Sequence, residues 1–173
     1  MSSLRTDKIC VLVVSALVMI MLSSGTGGQE WIVTHGERIG LWNRCTRFDN
    51  YCHSRILDKT KFVLKFIKSL MVLSCLASIA AFLLCVFMMC VGDSDGKFIS
   101  ICLFSTATFS IIALTLFLTN VTKFIRSRTG TVPFDYGWCF MVAWLGTGLA
   151  VVGAFLALKI HSTYHALNKP VIV

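Results

Sequence analysis

Charge is scarce in this sequence. Only 14% of its 173 residues are Asp, Glu, Lys or Arg, while 56% are hydrophobic. A soluble domain of this length can enclose one core, but its surface needs more charge than that. The scarcity excludes an ordinary water-soluble globule and calls for a second apolar solvent, the lipid bilayer. It is also unevenly spread. Residues 69–91, 98–119 and 137–158 contain no Asp, Glu, Lys or Arg. At 1.5 Å per residue each reaches about 33 Å as a helix, enough to cross a hydrocarbon core about 30 Å thick. Three membrane spans follow from length and missing charge alone. The same lack argues against a transporter or a pore through the bundle, because ionisable side chains inside a membrane usually mark an ion pathway or proton relay.

Catalytic motifs are missing too. There is no Gly-x-Ser-x-Gly, no HExxH and no phosphate-cradling glycine loop. The four histidines, His35, His53, His161 and His165, fall in pairs on opposite sides of the expected membrane, and no carboxylates and bases converge on one pocket. The chain is expected not to be an enzyme and to hold no metal and no cofactor.

A fourth apolar run, residues 9–22, reads two ways. Arg5 and Lys8 precede it, and Ser23, Ser24, Gly25, Thr26, Gly27 and Gly28 follow it. Basic start, short apolar centre and small-residue exit describe a cleavable signal peptide. With its small residues included, the run also spans as a helix, helped by tilt or local thinning.

If the amino terminus is cytoplasmic, four spans return the carboxyl terminus to the cytoplasm. The inside then holds Arg5, Lys8, Lys97, Lys159 and Lys169. The outside holds Arg38, Arg44, Arg47, Arg55, Lys59, Lys61, Lys65, Lys68, Lys123, Arg126 and Arg128. Eleven against five runs opposite to the positive-inside expectation. Cysteine usage points the other way. Cys10, Cys75, Cys85, Cys90, Cys102 and Cys139 lie in or beside apolar runs, where free cysteine acts as a small hydrophobe. Cys10 and Cys90 fall near the expected cytoplasmic helix ends, where palmitoylation occurs. Cys45 and Cys52 sit in a polar, aromatic-rich segment with six residues between them. A disulfide closing such a loop suits an oxidising compartment. A zinc site with His35 or His53 is the alternative, and no CxxC or paired-His spacing supports it. The disulfide reading puts residues 27–68 outside the cytosol.

Within that loop, residues 30–34 and 38–45 have strand-like content, with Gly36 between them as a turn. Such a hairpin is expected to present Trp31 and Trp42 near the membrane surface, either anchoring the chain there or forming part of a folded sheet that meets a neighbour.

Trp31, then Gly40-Leu41-Trp42, then Cys45 and Cys52, between a first and a second apolar run, resembles the claudin and peripheral-myelin-protein superfamily. The resemblance covers almost the whole chain. Residues 69–74 resemble that family's entry to helix two, and Phe134-Asp135-Tyr136-Gly137-Trp138 with Ala143-Trp144 its entry to helix four. The short first loop fits the epithelial-membrane, peripheral-myelin and lens-fibre intrinsic branch. Val121-Thr122-Lys123-Phe124 with Arg126 and Arg128 most resembles the second loop of the lens-fibre member. The resemblance implies a left-handed four-helix bundle with a small extracellular β-sheet, a retained first helix, both termini cytoplasmic, and a Cys45–Cys52 disulfide.

The organisation expected is therefore a cytoplasmic terminus (1–8), a first span (9–26), an outer loop (27–68), a second span (69–91), a turn-like inner loop (92–97), a third span (98–119), a second outer loop (120–136), a fourth span (137–158) and a cytoplasmic tail (159–173). The first loop lacks the Asn-x-Ser/Thr acceptor of several relatives; Asn120-Val121-Thr122 matches it but adjoins the membrane. Gly146, Ala150 and Ala154, and likewise Ser74 and Ser78 beside Ala77 and Ala81, let helices approach closely, within one bundle or between copies. Lys59, Lys61, Lys65 and Lys68 either face lipid headgroups or simply solvate the approach to the second span. Alternatively, the cationic loops meet acidic groups on an opposing cell or line an anion-favouring paracellular route. Val171 and Val173 at the end of the tail suit addition to a PDZ groove.

The expected task is to organise cell–cell contacts at the plasma membrane, through the outer loops and lateral packing, with self-association in cis and possible contact in trans. A paracellular barrier element and an accessory subunit of a channel or receptor are the alternatives. Arg44, Arg47 and Lys59 are the expected contact residues. Partners are the bilayer, other copies and a PDZ or membrane protein, but not nucleic acid.

Overall fold

The computed structural model describes residues 2–34, 37–46, 52–53, 61–91, 96–129 and 134–167. Four helices dominate it: α1 (Ser2–Gly27), α2 (Lys61–Val91), α3 (Gly96–Thr129) and α4 (Trp138–Leu167). Each contains a stretch long and apolar enough to cross a membrane: Arg5–Gly27, Phe62–Val91, Gly96–Asn120 and Trp138–Tyr164. The chain is a multi-pass membrane protein.

The packing follows from that solvent. Lipid supplies no hydrophobic force between helices, so close van der Waals approach and interhelical hydrogen bonds hold a bundle together. Small and hydroxyl side chains accordingly fill the interior: Ala81, Ala107, Ala150, Ala154 and Ala157 with Ser15, Ser74, Ser78, Ser100, Ser110 and Thr106 are all buried. Large apolar side chains such as Leu73, Leu76, Leu83, Leu145 and Phe155 point outward. Ser74 Oγ donates to the Thr106 carbonyl at 3.0 Å, tying α2 to α3. Ser100 Oγ donates to the Ala154 carbonyl at 3.0 Å, tying α3 to α4. The first apolar run belongs to this bundle, with Val11, Ser15, Val18 and Leu22 buried along one face of α1. Gly146 lies against Met21 and Leu22, and Ala150 clusters with Val18, Leu22 and Ala107. The small-residue lines of α2 and α4 are thus largely used inside one bundle and not between copies.

At one end the chain folds into a five-stranded antiparallel sheet, β1 (Ile32–Thr34), β2 (Glu37–Ile39), β3 (Arg44–Thr46), β4 (Cys52–His53) and β5 (Phe134–Tyr136), in the order β4-β3-β2-β1-β5. Two expectations need correction here. Residues 38–45 do not form one strand: the chain turns at Gly40–Asn43, where the Gly40 N–H donates to the Asn43 carbonyl at 2.8 Å. The expected sheet of the first connection is present and gains a strand from the second, because Ile32 pairs with Tyr136 and Thr34 with Phe134. Residues 120–136 are not wholly loop. α3 continues to Thr129, so it projects well beyond its apolar stretch, which ends at Asn120.

Candidate functional site

The sheet end is where the motif residues meet. α1 ends at Gly27, leaving its last carbonyls without partners inside the helix. Two indoles supply them. Trp31 Nε1–H donates to the Gly25 carbonyl at 2.8 Å, and Trp42 Nε1–H donates to the Thr26 carbonyl at 2.8 Å. Both signature tryptophans therefore cap one helix. The expectation that both sit at the membrane surface needs correction for Trp31, which is fully buried. Its ring meets Phe117 of α3 and Phe140 of α4 edge-on, at 4.7 and 5.8 Å between centroids. Phe140 in turn stacks on Tyr136 of β5 at 4.9 Å. Edge-to-face pairs of this kind contribute about 0.5–1.5 kcal/mol each beyond their burial. Trp42 remains partly exposed, with the Lys68 ammonium 5.2 Å from its ring centroid.

The Gly-Leu-Trp run has a separate task for each residue. A Cβ at position 40 would lie 2.8 Å from the Gln29 Cα, so only glycine lets this turn press against the α1 exit. Leu41 is fully buried, in the same cluster as Trp31, Ile67, Leu114 and Phe117. Trp42 is the second cap. Sequence reading found the motif but not this division of labour, because the partners are carbonyls and a backbone approach that carry no residue signature.

The start of α4 is joined to the same cluster. The Gly137 N–H donates to the Trp31 carbonyl at 2.9 Å, and the Cys139 N–H to the Glu30 carbonyl at 3.3 Å. A side chain at Gly137 would collide with the Glu30 carbonyl. Gly137 and Tyr136 thus hold the second connection to the first, a role sequence reading assigned only to helix entry. Glu30 also pairs with Arg38 at 2.6 Å. Both side chains are partly exposed, so this ion pair adds little, about 0–1 kcal/mol.

Cys45 and Cys52 are bonded to each other, with Cα atoms 4.1 Å apart on the paired strands β3 and β4. Neither sulfur is then a thiolate ligand, which overturns the zinc alternative. The expected contact residues are less defined. The backbone of Arg44 lies in β3 with its side chain outside the described residues; Arg47 and Lys59 lie outside them altogether, as do Val171 and Val173. The backbone of Arg126 and Arg128 runs in the projecting end of α3. Asn120 sits within α3, its amide donating to the Leu116 carbonyl at 3.0 Å, so the glycosylation sequon begins in helix and not in a loop. Cys10 and Cys90 are exposed, towards the end of the bundle opposite the sheet.

Four membrane-crossing helices, capped at one end by a disulfide-clasped sheet drawn from both connections on that side, define a tetraspan membrane protein built to hold a folded surface at the bilayer. The chain belongs to the PMP-22/EMP/MP20/Claudin family, whose model matches residues 8–157. This is a family of structural and not enzymatic membrane proteins. Epithelial membrane protein 1 of Homo sapiens is 24% identical over 140 residues, which cover 78% of this chain and 84% of the relative. Epithelial membrane protein 1 of Pongo abelii matches to the same extent. These relatives bear the epithelial-membrane name of the branch expected from the short first loop.

Proposed function

We propose that this protein organises cell–cell contacts, presenting its sheet outside the cell with both termini in the cytoplasm. The observation that supports this best is how the sheet is held. Two indole caps, a disulfide and a strand from the far connection fix a small surface onto the ends of four helices. A surface ordered before contact loses less entropy on meeting a neighbour, so more of the contact energy appears as affinity. The orientation is supported by the disulfide, which persists in oxidising compartments, and by Arg5 and Lys8 in the first turns of α1. The eleven-to-five count of basic residues opposes it. Arg44, Arg47 and Lys59 are the residues proposed to meet the neighbour, and lateral self-association adds breadth.

A second reading, a paracellular barrier element that favours anions, draws on charge. The sheet-end segments 28–68 and 120–137 hold eleven basic and five acidic residues, a surplus of six. Labelling Cys45 and Cys52 on intact cells tests the orientation shared by both readings. A membrane-impermeant maleimide should react from outside only after reduction; reaction solely from the cytosolic side refutes both. Suspended cells expressing the protein should then aggregate. Charge reversal at Arg44, Arg47 and Lys59 should weaken aggregation without changing ion permeability of a cell layer. A shift in ion selectivity, with aggregation unchanged, favours the barrier reading instead.

A further inference from the structure

We propose that the sheet end of α2 binds the headgroup of an anionic phospholipid, its phosphate against Lys65 and Lys68 and its acyl chain along Phe66, Leu73 and Leu76. The first eight residues of α2 contain Lys61, Lys65 and Lys68, and its 31 residues include no Asp or Glu. Three like charges within eight residues, with no carboxylate in the helix to offset them, favour an anion beside this end of α2. No carboxylate among the described residues pairs with Lys65, and the Lys68 ammonium lies over the Trp42 ring.

Depth selects a lipid over a dissolved anion. The apolar stretch Phe62–Val91 is 30 residues long, about 45 Å as a helix, against a hydrocarbon core of about 30 Å. The surplus belongs to the sheet end, because the other end finishes on exposed Met89 and Val91 with no charge to bring out. Lys65 and Lys68 then lie in the headgroup layer. Phe62, Lys65, Phe66, Leu73 and Leu76 fall within about 100° of the helix surface, and all are exposed. Phe62 is 82% exposed one turn beyond Lys65. This apolar strip is continuous with the lipid-facing side of the bundle, which suits a ligand that is charged at one end and hydrocarbon below. The inference does not depend on which side of the membrane the sheet faces.

Native mass spectrometry of the full chain in mixed micelles of phosphatidylcholine and phosphatidylglycerol tests it. The protein should retain phosphatidylglycerol preferentially, and raising salt from about 0.05 to 0.5 M should erode that preference, since headgroup attraction is screened. Replacing Lys65 by Gln should reduce the preference about fivefold, and the K65Q/K68Q pair should lower it further by a similar factor. K65R/K68R should keep it, as should K97Q in the first turn of α3, at the opposite end of the bundle. Should the pair not fold, K65Q and the salt series on the unaltered protein decide. Equal uptake of both lipids, a preference insensitive to salt, or K65Q matching the unaltered chain overturns the proposal. So does crosslinking of these lysines to an acidic protein with no lipid preference.

Discussion

Replacing Trp31 by Phe keeps an aromatic ring in the cluster but removes the indole N–H from the Gly25 carbonyl. That bond is buried, and the ring is fully enclosed. An orphaned buried acceptor costs about 1–3 kcal/mol. The smaller ring leaves a void of about 40 Å³, worth about 1 kcal/mol where neighbours cannot close it. The loss expected is about 2–4 kcal/mol. Trp42 makes the same kind of bond to the next carbonyl, yet it is 40% exposed. Water or a headgroup can take over at Thr26, so Trp42→Phe should cost only the net value of a hydrogen bond, about 0.5–1.5 kcal/mol. Reversible unfolding by SDS titration from mixed micelles, followed by circular dichroism, measures both. The two substitutions are chemically identical, so the difference isolates burial. Equal losses would refute the claim that Trp31 caps α1 from inside the core, and a larger loss for Trp42 would reverse it.

Two further outcomes follow from the same geometry. Replacing Cys45 and Cys52 by Ser opens a loop of sequence separation 7, for which loop closure gives about 2.5 kcal/mol. Hydrogen exchange should rise in β3 and β4 while helical circular dichroism stays unchanged; a loss of helix signal would contradict this. Gly137→Ala should abolish assembly of the sheet end through its collision with the Glu30 carbonyl. Gly148→Ala, where nothing lies within 4 Å, should be neutral or stabilising by up to about 1 kcal/mol. Thermal unfolding of the two variants in detergent checks the contrast, and similar behaviour would refute it.

The spans were legible because lipid imposes one strong rule, the exclusion of charge over 20 or so residues. That rule is also why the helices were read too short. Lys61, Lys65 and Lys68 lie in α2, and Lys123 and Arg126 in α3, yet none lies in a charge-free run. Helix formation stops where backbone partners and propensity stop, not where the bilayer does, and Lys and Arg are good helix formers. The disulfide and the Trp-containing motif were visible as residue types at a spacing. The burial of Trp31 was not, since a tryptophan near a helix end serves equally as a membrane anchor or a core plug, and only the height of Phe117 and Phe140 beside it decides. β5 is three residues long, too short for an alternating pattern to show.

The pairing of β1 with β5 also imposes an order on biogenesis. Ile32 finds Tyr136 only after roughly 100 further residues have been made, about 5–20 s of synthesis. During that interval one side of β1 lacks its strand, and Trp31 has no Phe140 to meet. The sheet is thus completed only late in synthesis. An unfinished or truncated chain exposes a bare strand edge open to pairing with another chain. Arrival of β5 is the event that hides it.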